Sequence, residues 1–123
     1  MTKGIYITPD KAVEERDFPD LKSLQSAVEG YIEAVILSDG SAMWVNEEYL
    51  YSFGPEAFNS IATDVAGLGG RPDLLIQGIL GPVVIQGPAD DNGKTLPPTD
   101  KARRWDHRVA REARTLTVRK EES

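Results

Sequence analysis

The sequence predicts an α+β fold with a mainly antiparallel sheet of four or five strands, two packed helices and a C-terminal basic amphipathic helix. Three observations favour this class. Strand-like and helix-like segments do not alternate in the strict order of a doubly wound fold. Asp39-Gly40 lies between two apolar segments and is a favoured tight hairpin turn. A further helical stripe follows a proline-containing segment near the end of the chain.

The strands are indicated by short β-branched and aromatic segments bounded by turn residues. Residues 31–37 form the clearest strand, in which Ile32, Ala34 and Ile36 share one apolar face, and the chain returns across the hairpin as a partner strand. Residues 73–79 and 82–86 read as two strands or as one strand with a bulge. The predicted strands are residues 4–8, 31–37, 42–46, 49–53, 73–79 and 82–86.

Two helices are predicted within the body of the chain. Asp20 is a typical N-cap, and apolar residues follow it at helical spacing as far as Val28. The mostly charged residues 10–19 before it indicate a loop. Gly54-Pro55 opens the second helix, with proline at the first helical position, and an apolar stripe runs from Phe58 to Val65.

Charge is divided unevenly along the chain. Residues 1–98 carry 6 basic and 15 acidic side chains, whereas residues 99–123 carry 8 basic and 5 acidic ones. The whole chain has a formal charge of −6. The predicted organisation is therefore an acidic α+β domain over residues 1–88, a proline-containing linker over 89–98, and a basic amphipathic helix and tail over 99–123.

Composition excludes several classes of site. The chain has no cysteine, which rules out disulfides, thiolate metal sites and a cysteine nucleophile. Its single histidine cannot form a two-histidine zinc motif. No apolar segment approaches the roughly 18 residues that span a membrane, and the N-terminus lacks a signal-peptide core. We expect a non-enzymatic, cytoplasmic protein with no metal or other cofactor and no membrane partner.

Four segments in the middle of the chain resemble a known family. They are Gly30-Tyr31-Ile32-Glu33-Ala34-Val35, Asn46-Glu47-Glu48, Asn59 with Ala62-Thr63, and Gly81-Pro82-Val83-Val84-Ile85 with Gly87. Their order and approximate spacing resemble the small phage and prophage family catalogued as domain of unknown function 3846, over roughly residues 4–88. The chain departs from the family pattern at Tyr49, where a glycine is expected, and before Asn59, where a proline-rich lead-in is expected. The resemblance implies a phage origin, action in the cytoplasm of a host bacterium and no established activity.

Polar residues in these segments form the first candidate site. Asn46, Glu47 and Glu48 place an amide and two carboxylates beside a strand end, a group that can bind a cation or orient a water. Asn59 and Thr63 lie one helical turn apart and share a face. If the turn packs against that helix, Asn46, Asn59 and Thr63 line a polar pocket for a small ligand or nucleotide. The alternative is that these residues make the hydrogen bonds that fix the loop to the helix.

The C-terminal helix is the second candidate site. Its apolar stripe combines Ala102, Trp105 and Val109 with Ala113 and Leu116, and most of its arginines lie on other faces. The helix can dock on its own sheet, neutralise the acidic body, bridge a homodimer or contact a partner. The net negative charge makes nucleic acid an unlikely ligand. The residues expected to contact a partner are Arg103, Arg104, Trp105, Arg108, Val109 and Arg111.

The expected function is that of a non-enzymatic phage accessory protein that binds a host bacterial protein and modulates host physiology or defence. Two alternatives remain open from the residues. One is a small-ligand or nucleotide-binding protein that sequesters its ligand through the Asn46–Asn59–Thr63 region. The other is a nucleic-acid binder that uses the C-terminal helix.

Overall fold

A computed structural model describes residues 2–122 of the chain, with side chains described for residues 2–111. Five strands and five α-helices are present in this part. The strands are β1 (Thr2–Ile7), β2 (Val13–Phe18), β3 (Ile32–Ile36), β4 (Ala42–Asn46) and β5 (Val83–Gln86). The helices are α1 (Leu21–Val28), α2 (Tyr49–Ser52), α3 (Ser60–Leu68), α4 (Pro72–Gln77) and α5 (Asp100–Glu122), and a single 3₁₀ turn occupies Pro55–Ala57.

The five strands form one sheet in the order β2-β1-β5-β4-β3, and every neighbouring pair is antiparallel. The predicted α+β class is therefore confirmed. The hairpin between β3 and β4 turns at Gly40, whose φ of +87° is a conformation that glycine adopts without strain. The Leu37 N–H donates to the carbonyl oxygen of Ser41 across this turn at 2.8 Å.

The two faces of the sheet are covered to different extents. Inward side chains of β1, β3, β4, β5 and α2 to α5 form the main core, which includes Ile7, Met43, Ile61 and Ile85, and the partly buried Val13 of β2 packs against it. The opposite face is covered by α1 over a smaller cluster of Phe18, Leu24 and Val84. Because side chains alternate along a strand, each strand contributes to both layers.

Residues 10–19, predicted as a loop, contain the edge strand β2. Its backbone pairs with β1 from Thr2 opposite Phe18 to Ile7 opposite Val13. The intervening side chains are exposed and charged, so the strand shows no apolar alternation that sequence analysis could detect. Charged side chains are common on edge strands because they discourage pairing with other chains.

Two segments predicted as strands are helices. Residues 49–53 begin with α2, in which the Ser52 N–H donates to the carbonyl oxygen of Glu48 at 2.8 Å. Aromatic residues favour a strand only beside a free partner, and both sides of the adjacent β4 are already paired. Residues 73–79 belong mainly to α4, where Pro72 lies in the first turn and Gly78 ends the helix with φ +80°.

The second predicted helix starts later than expected. Pro55 opens a single 3₁₀ turn, and α3 begins at Ser60 with Asn59 as its N-cap. The Asn59 Oδ1 accepts a hydrogen bond from the Ala62 N–H at 3.1 Å. Phe58 therefore lies outside the helix, although it was predicted to begin the helical stripe.

The C-terminal helix α5 packs into the main core. Ala102, Val109 and Ala110 are almost completely buried there, and Trp105 packs against the same cluster. The predicted stripe residues Ala113 and Leu116 lie outside the part of the chain whose side chains are described. The segment before the helix is held to the body, because the Thr2 hydroxyl donates to the carbonyl oxygen of Thr95 at 2.7 Å.

Candidate functional site

Asn46, predicted to line a ligand pocket, instead joins β4 to α1. Its Nδ2 donates to the carbonyl oxygens of Val28 and Glu29 at 3.1 and 3.2 Å. Its Oδ1 accepts from the Glu48 N–H at 2.8 Å. The side chain is 4% exposed, and its hydrogen bonds close the end of α1 and fix the turn after β4.

Asn59 and Thr63 come together on the other side of the sheet. The Asn59 Nδ2 donates to the carbonyl oxygens of Ile7 and Gly81 at 3.1 and 2.9 Å. The Thr63 hydroxyl donates to the Asn59 carbonyl oxygen at 2.8 Å. Because Asn46 bonds to α1 on the opposite face, the three residues do not line one pocket. Their polar groups make the structural hydrogen bonds that the sequence left as the alternative.

Glu47 lies apart from these residues in an open cleft of about 290 Å³, which we call the Glu47 cleft. Glu33, Glu47 and Glu48 all contribute to its lining and are all exposed to water. Arg71 pairs with Asp73 at the same cleft, with 3.0 Å between Nη2 and Oδ2. This cleft therefore presents solvated carboxylates and one ion pair, with no charged group withdrawn from water.

The predicted partner residues of α5 divide between two faces. Arg104, Arg108 and Arg111 are exposed. Val109 is 3% exposed and belongs to the core, so its side chain is not on the surface. Trp105 is half-buried, and the Lys101 ammonium lies 5.6 Å from the centre of a Trp105 ring. The helix thus shows a cationic outer face and uses its apolar face within the protein.

Arg103, also predicted to contact a partner, is tied to the body instead. Its Nε donates to the Glu15 Oε1 on β2 at 2.6 Å, and its Nη1 lies 3.7 Å from the Asp100 Oδ1. Both side chains of the pair with Glu15 are about two-fifths exposed. The ion pair joins the start of α5 to the edge of the sheet and stands at one wall of a cleft.

The cleft between α5 and the β1–β2 edge of the sheet contains an unusual acidic group. Asp106 on α5 is 2% exposed, and neither carboxylate oxygen has a hydrogen-bond partner. It is the only buried side chain of this kind among residues 2–111. We call this space, of about 260 Å³, the Asp106 cleft; its lining residues are Ile5, Val13, Glu14, Glu15, Arg103, Asp106, His107 and Ala110.

The environment of Asp106 opposes ionisation. Burial away from water, reinforced by the neighbouring Glu15 carboxylate, raises the pKa of Asp106 to about 8. Buried polar side-chain atoms normally have at least one hydrogen-bond partner. Neither Asp106 oxygen has such a partner, so the carboxyl group can interact with a group that enters this partly apolar cleft.

Asp106 was not among the predicted site residues, although the sequence places this ionisable residue on the apolar face of a helix. Asp106 lies four residues after Ala102 and four before Ala110, so it falls on the buried face of an amphipathic helix. An ionisable residue within an apolar stripe is a candidate functional group. The contribution of Glu14 and Glu15 was hidden because residues 10–19 were predicted as a loop.

The described residues show neither a metal cluster nor a membrane span. No group of three or more histidine, cysteine, aspartate or glutamate side chains suited to a metal ion occurs among them. None of their helices has the combination of length and apolar character that crossing a bilayer requires.

A family model matches residues 1–110 of the chain, and the family is described as Domain of unknown function (DUF3846). The chain belongs to the DUF3846 family. The matched region extends past the four resembling segments and includes residues 89–98 and the first half of α5. All residues that line the Asp106 cleft therefore lie within the DUF3846 region. Among curated proteins and among solved structures, no significant match to the chain was found.

Proposed function

We propose that this DUF3846 protein is a non-enzymatic phage accessory protein that binds a host protein in the bacterial cytoplasm and alters host physiology or defence. The observation that supports this proposal is the attachment of α5. Ala102, Val109 and Ala110 fix one face of the helix in the core, and the opposite face holds Arg104, Arg108 and Arg111 at the surface.

A fixed cationic face suits protein recognition. The helix is ordered before it meets a partner, so binding costs less conformational entropy than folding a free tail would. Its guanidinium groups can form bidentate hydrogen bonds with carboxylates of an acidic partner surface. We assign the contact mainly to Arg104, Arg108 and Arg111 because these three side chains are exposed on the outer face of the helix.

The two alternative functions have less support. Asn46, Asn59 and Thr63 use their polar groups inside the fold, which removes the basis for a nucleotide pocket there. Residues 1–98 carry a net charge of −9, which repels a phosphate backbone. A homodimer that uses the same cationic face against the acidic body of a second copy is the remaining competitor.

The test is an affinity pull-down from a nuclease-treated bacterial lysate with the full chain and with a triple variant, Arg104→Glu, Arg108→Glu and Arg111→Glu. The matched control reverses charge at two exposed lysines of the body, Lys22→Glu and Lys94→Glu. We expect one host protein to be retained by the wild type and the control and lost by the triple variant. The same three results must then be reproduced with the purified host protein.

Three outcomes would contradict the proposal. Equal retention by all variants would place the contact outside α5. Self-association that disappears in the triple variant, with no host protein retained, would favour the homodimer. Retention that occurs only in a parallel lysate without nuclease treatment, and that falls steeply with salt, would favour the nucleic-acid alternative.

A further inference from the structure

We propose that the Asp106 cleft is a binding site for an organic ammonium ion on a short aliphatic stem, held by an ion pair with the Asp106 carboxylate. This inference goes beyond the proposed function, because it concerns a different surface from the outer face of α5 and does not depend on a host protein.

The Asp106 carboxyl group is buried without a hydrogen-bond partner. The side chain is 2% exposed, and both oxygens lack a hydrogen bond. A buried polar group without a partner destabilises the fold, and more strongly if it is charged. Such a cost is tolerated where a ligand supplies the missing donors. An ammonium group brings three N–H donors to the two carboxylate oxygens.

The charged groups that line the Asp106 cleft are mainly acidic. Three carboxyl groups line it, from Glu14, Glu15 and Asp106. The one guanidinium in the lining belongs to Arg103 and is paired with Glu15. Glu14 has its own partner in Arg16, which leaves the Asp106 carboxyl as the group without a counter-charge. The cleft therefore favours a cation over an anion or a neutral ligand.

The size and polarity of the Asp106 cleft suit a small aliphatic amine. A cleft of about 260 Å³ is large enough for an amine with a few carbon atoms. Ile5, Val13 and Ala110 supply apolar lining for an aliphatic stem. Although Glu14, Glu15 and Asp106 all line the cleft, no group of three such side chains among the described residues is arranged to hold a metal ion. The shape and chemistry together select an alkylammonium ion.

The experiment titrates the full-length protein with n-butylammonium chloride at about pH 8.5 by isothermal calorimetry and by NMR chemical shifts. n-Butanol is the neutral control of similar size. Two further probes separate the possible sources of the ammonium group. N-acetyl-lysine methylamide represents a protein side chain, and 1,4-diaminobutane represents a free polyamine. Tighter binding of one of them identifies the source.

The expected result is saturable binding of n-butylammonium, with shifts centred on residues of the cleft, and no comparable binding of n-butanol. Asp106→Asn should weaken binding by about tenfold to hundredfold, because a charge-assisted pair is lost. Asp91→Asn makes the same chemical change at an exposed position and should leave binding unchanged.

Proton linkage gives a readout that a merely structural Asp106 would not move. The charged or titratable groups that line the cleft are Glu14 and Glu15 from β2 and Arg103, Asp106 and His107 from α5. Binding to the ionised Asp106 should release roughly 0.2 to 0.7 of a proton at pH 6.5 for a tenfold to hundredfold preference for the carboxylate, measured in buffers of different ionisation enthalpy. Asp106→Asn should abolish that release.

The proposal is overturned if n-butylammonium does not bind, if n-butanol binds equally well, or if Asp106→Asn binds as tightly as the wild type. Circular dichroism and thermal unfolding of Asp106→Asn verify that the variant is folded. If that variant does not fold, Glu15→Gln serves instead, and it should weaken binding severalfold by reducing the negative potential of the cleft. Equal binding by Glu15→Gln then overturns the proposal.

Discussion

At the scale of single residues, Asp106 is the group within residues 2–111 whose protonation differs most between the folded and unfolded chain. Its ordinary pKa is 3.8, and burial raises this to about 8 in the fold. Between these values the folded protein holds a proton that the unfolded chain has released. The contribution of Asp106 to the free energy of unfolding therefore falls as pH rises through this window, by about 1.4 kcal/mol per pH unit. This contribution is completely lost above the folded pKa.

We predict that Asp106→Asn removes this part of the pH dependence. Urea unfolding of wild type and variant at about pH 5, 7 and 9 should show the variant gaining stability relative to the wild type as pH rises. Glu14, Glu15, Arg103 and His107 are present in both proteins, so the difference isolates Asp106. Asp91→Asn should follow the wild type. Parallel pH profiles for wild type and Asp106→Asn would show that Asp106 is not protonated in the fold.

Asn59 makes three hydrogen bonds through its side chain, and all three are buried. Its amide satisfies two carbonyl oxygens and caps α3. We predict that Asn59→Ala lowers the free energy of unfolding by about 3–5 kcal/mol, because three buried backbone groups lose their partner. Asn92→Ala, in an exposed turn, should change it by about 0.5 kcal/mol or less. Chemical denaturation compares the two, and similar costs would contradict the structural role of Asn59.

At the scale of elements, burial did not follow the most apolar face of β3. Ile32, Ala34 and Ile36 share the apolar face, yet Ile36 is 54% exposed and Val35, on the mixed face, is 8% exposed. The reason is that α3, α4 and α5 cover the Val35 side of the sheet, whereas the single short helix α1 covers the other side incompletely. Alternation along a strand defines its faces, but the neighbouring helices decide which face is buried.

The attachment of α5 leads to a prediction about that element. Val109→Asp places a carboxylate in the main core and should lower the free energy of unfolding by at least about 3 kcal/mol. Arg104→Asp, on the exposed face of the same helix, should cost about 1 kcal/mol or less. Thermal and urea unfolding measure both changes. If Val109→Asp unfolds like the wild type, α5 does not share the cooperative core.

At the scale of the whole molecule, the sheet order determines where the candidate cleft forms. β1 lies between β2 and β5, so the edge strand β2 is beside the N-terminal strand and close to the start of α5. Glu15 and Arg103 are far apart in sequence, and only this arrangement brings them within 2.6 Å. The Asp106 cleft therefore forms because the strand order places β2 beside the start of α5. The same strand order separates it from the Glu47 cleft.

Sequence alone determined the fold class, the hairpin at Gly40, helix α1 and the amphipathic character of α5. Each of these depends on local spacing or on one turn residue, which a sequence displays directly. The sequence did not predict the strand β2 or the helices α2 and α4. A solvated edge strand carries no apolar alternation, and short aromatic or aliphatic segments adopt helix or strand according to whether a strand partner is available.

The candidate site shows the same division. The sequence placed Asn59 and Thr63 on one face at the start of α3, and the structure agrees. It also placed the arginines of α5 away from the apolar face of that helix, and Arg104, Arg108 and Arg111 are indeed exposed. Both placements follow from helical periodicity. The side of the sheet on which Asn46 lies, the burial of Val109 and the unpartnered state of Asp106 were decided only by tertiary packing. Periodicity fixes which side chains share a face, whereas the contacts, burial and pKa of a side chain depend on distant segments that folding brings against it.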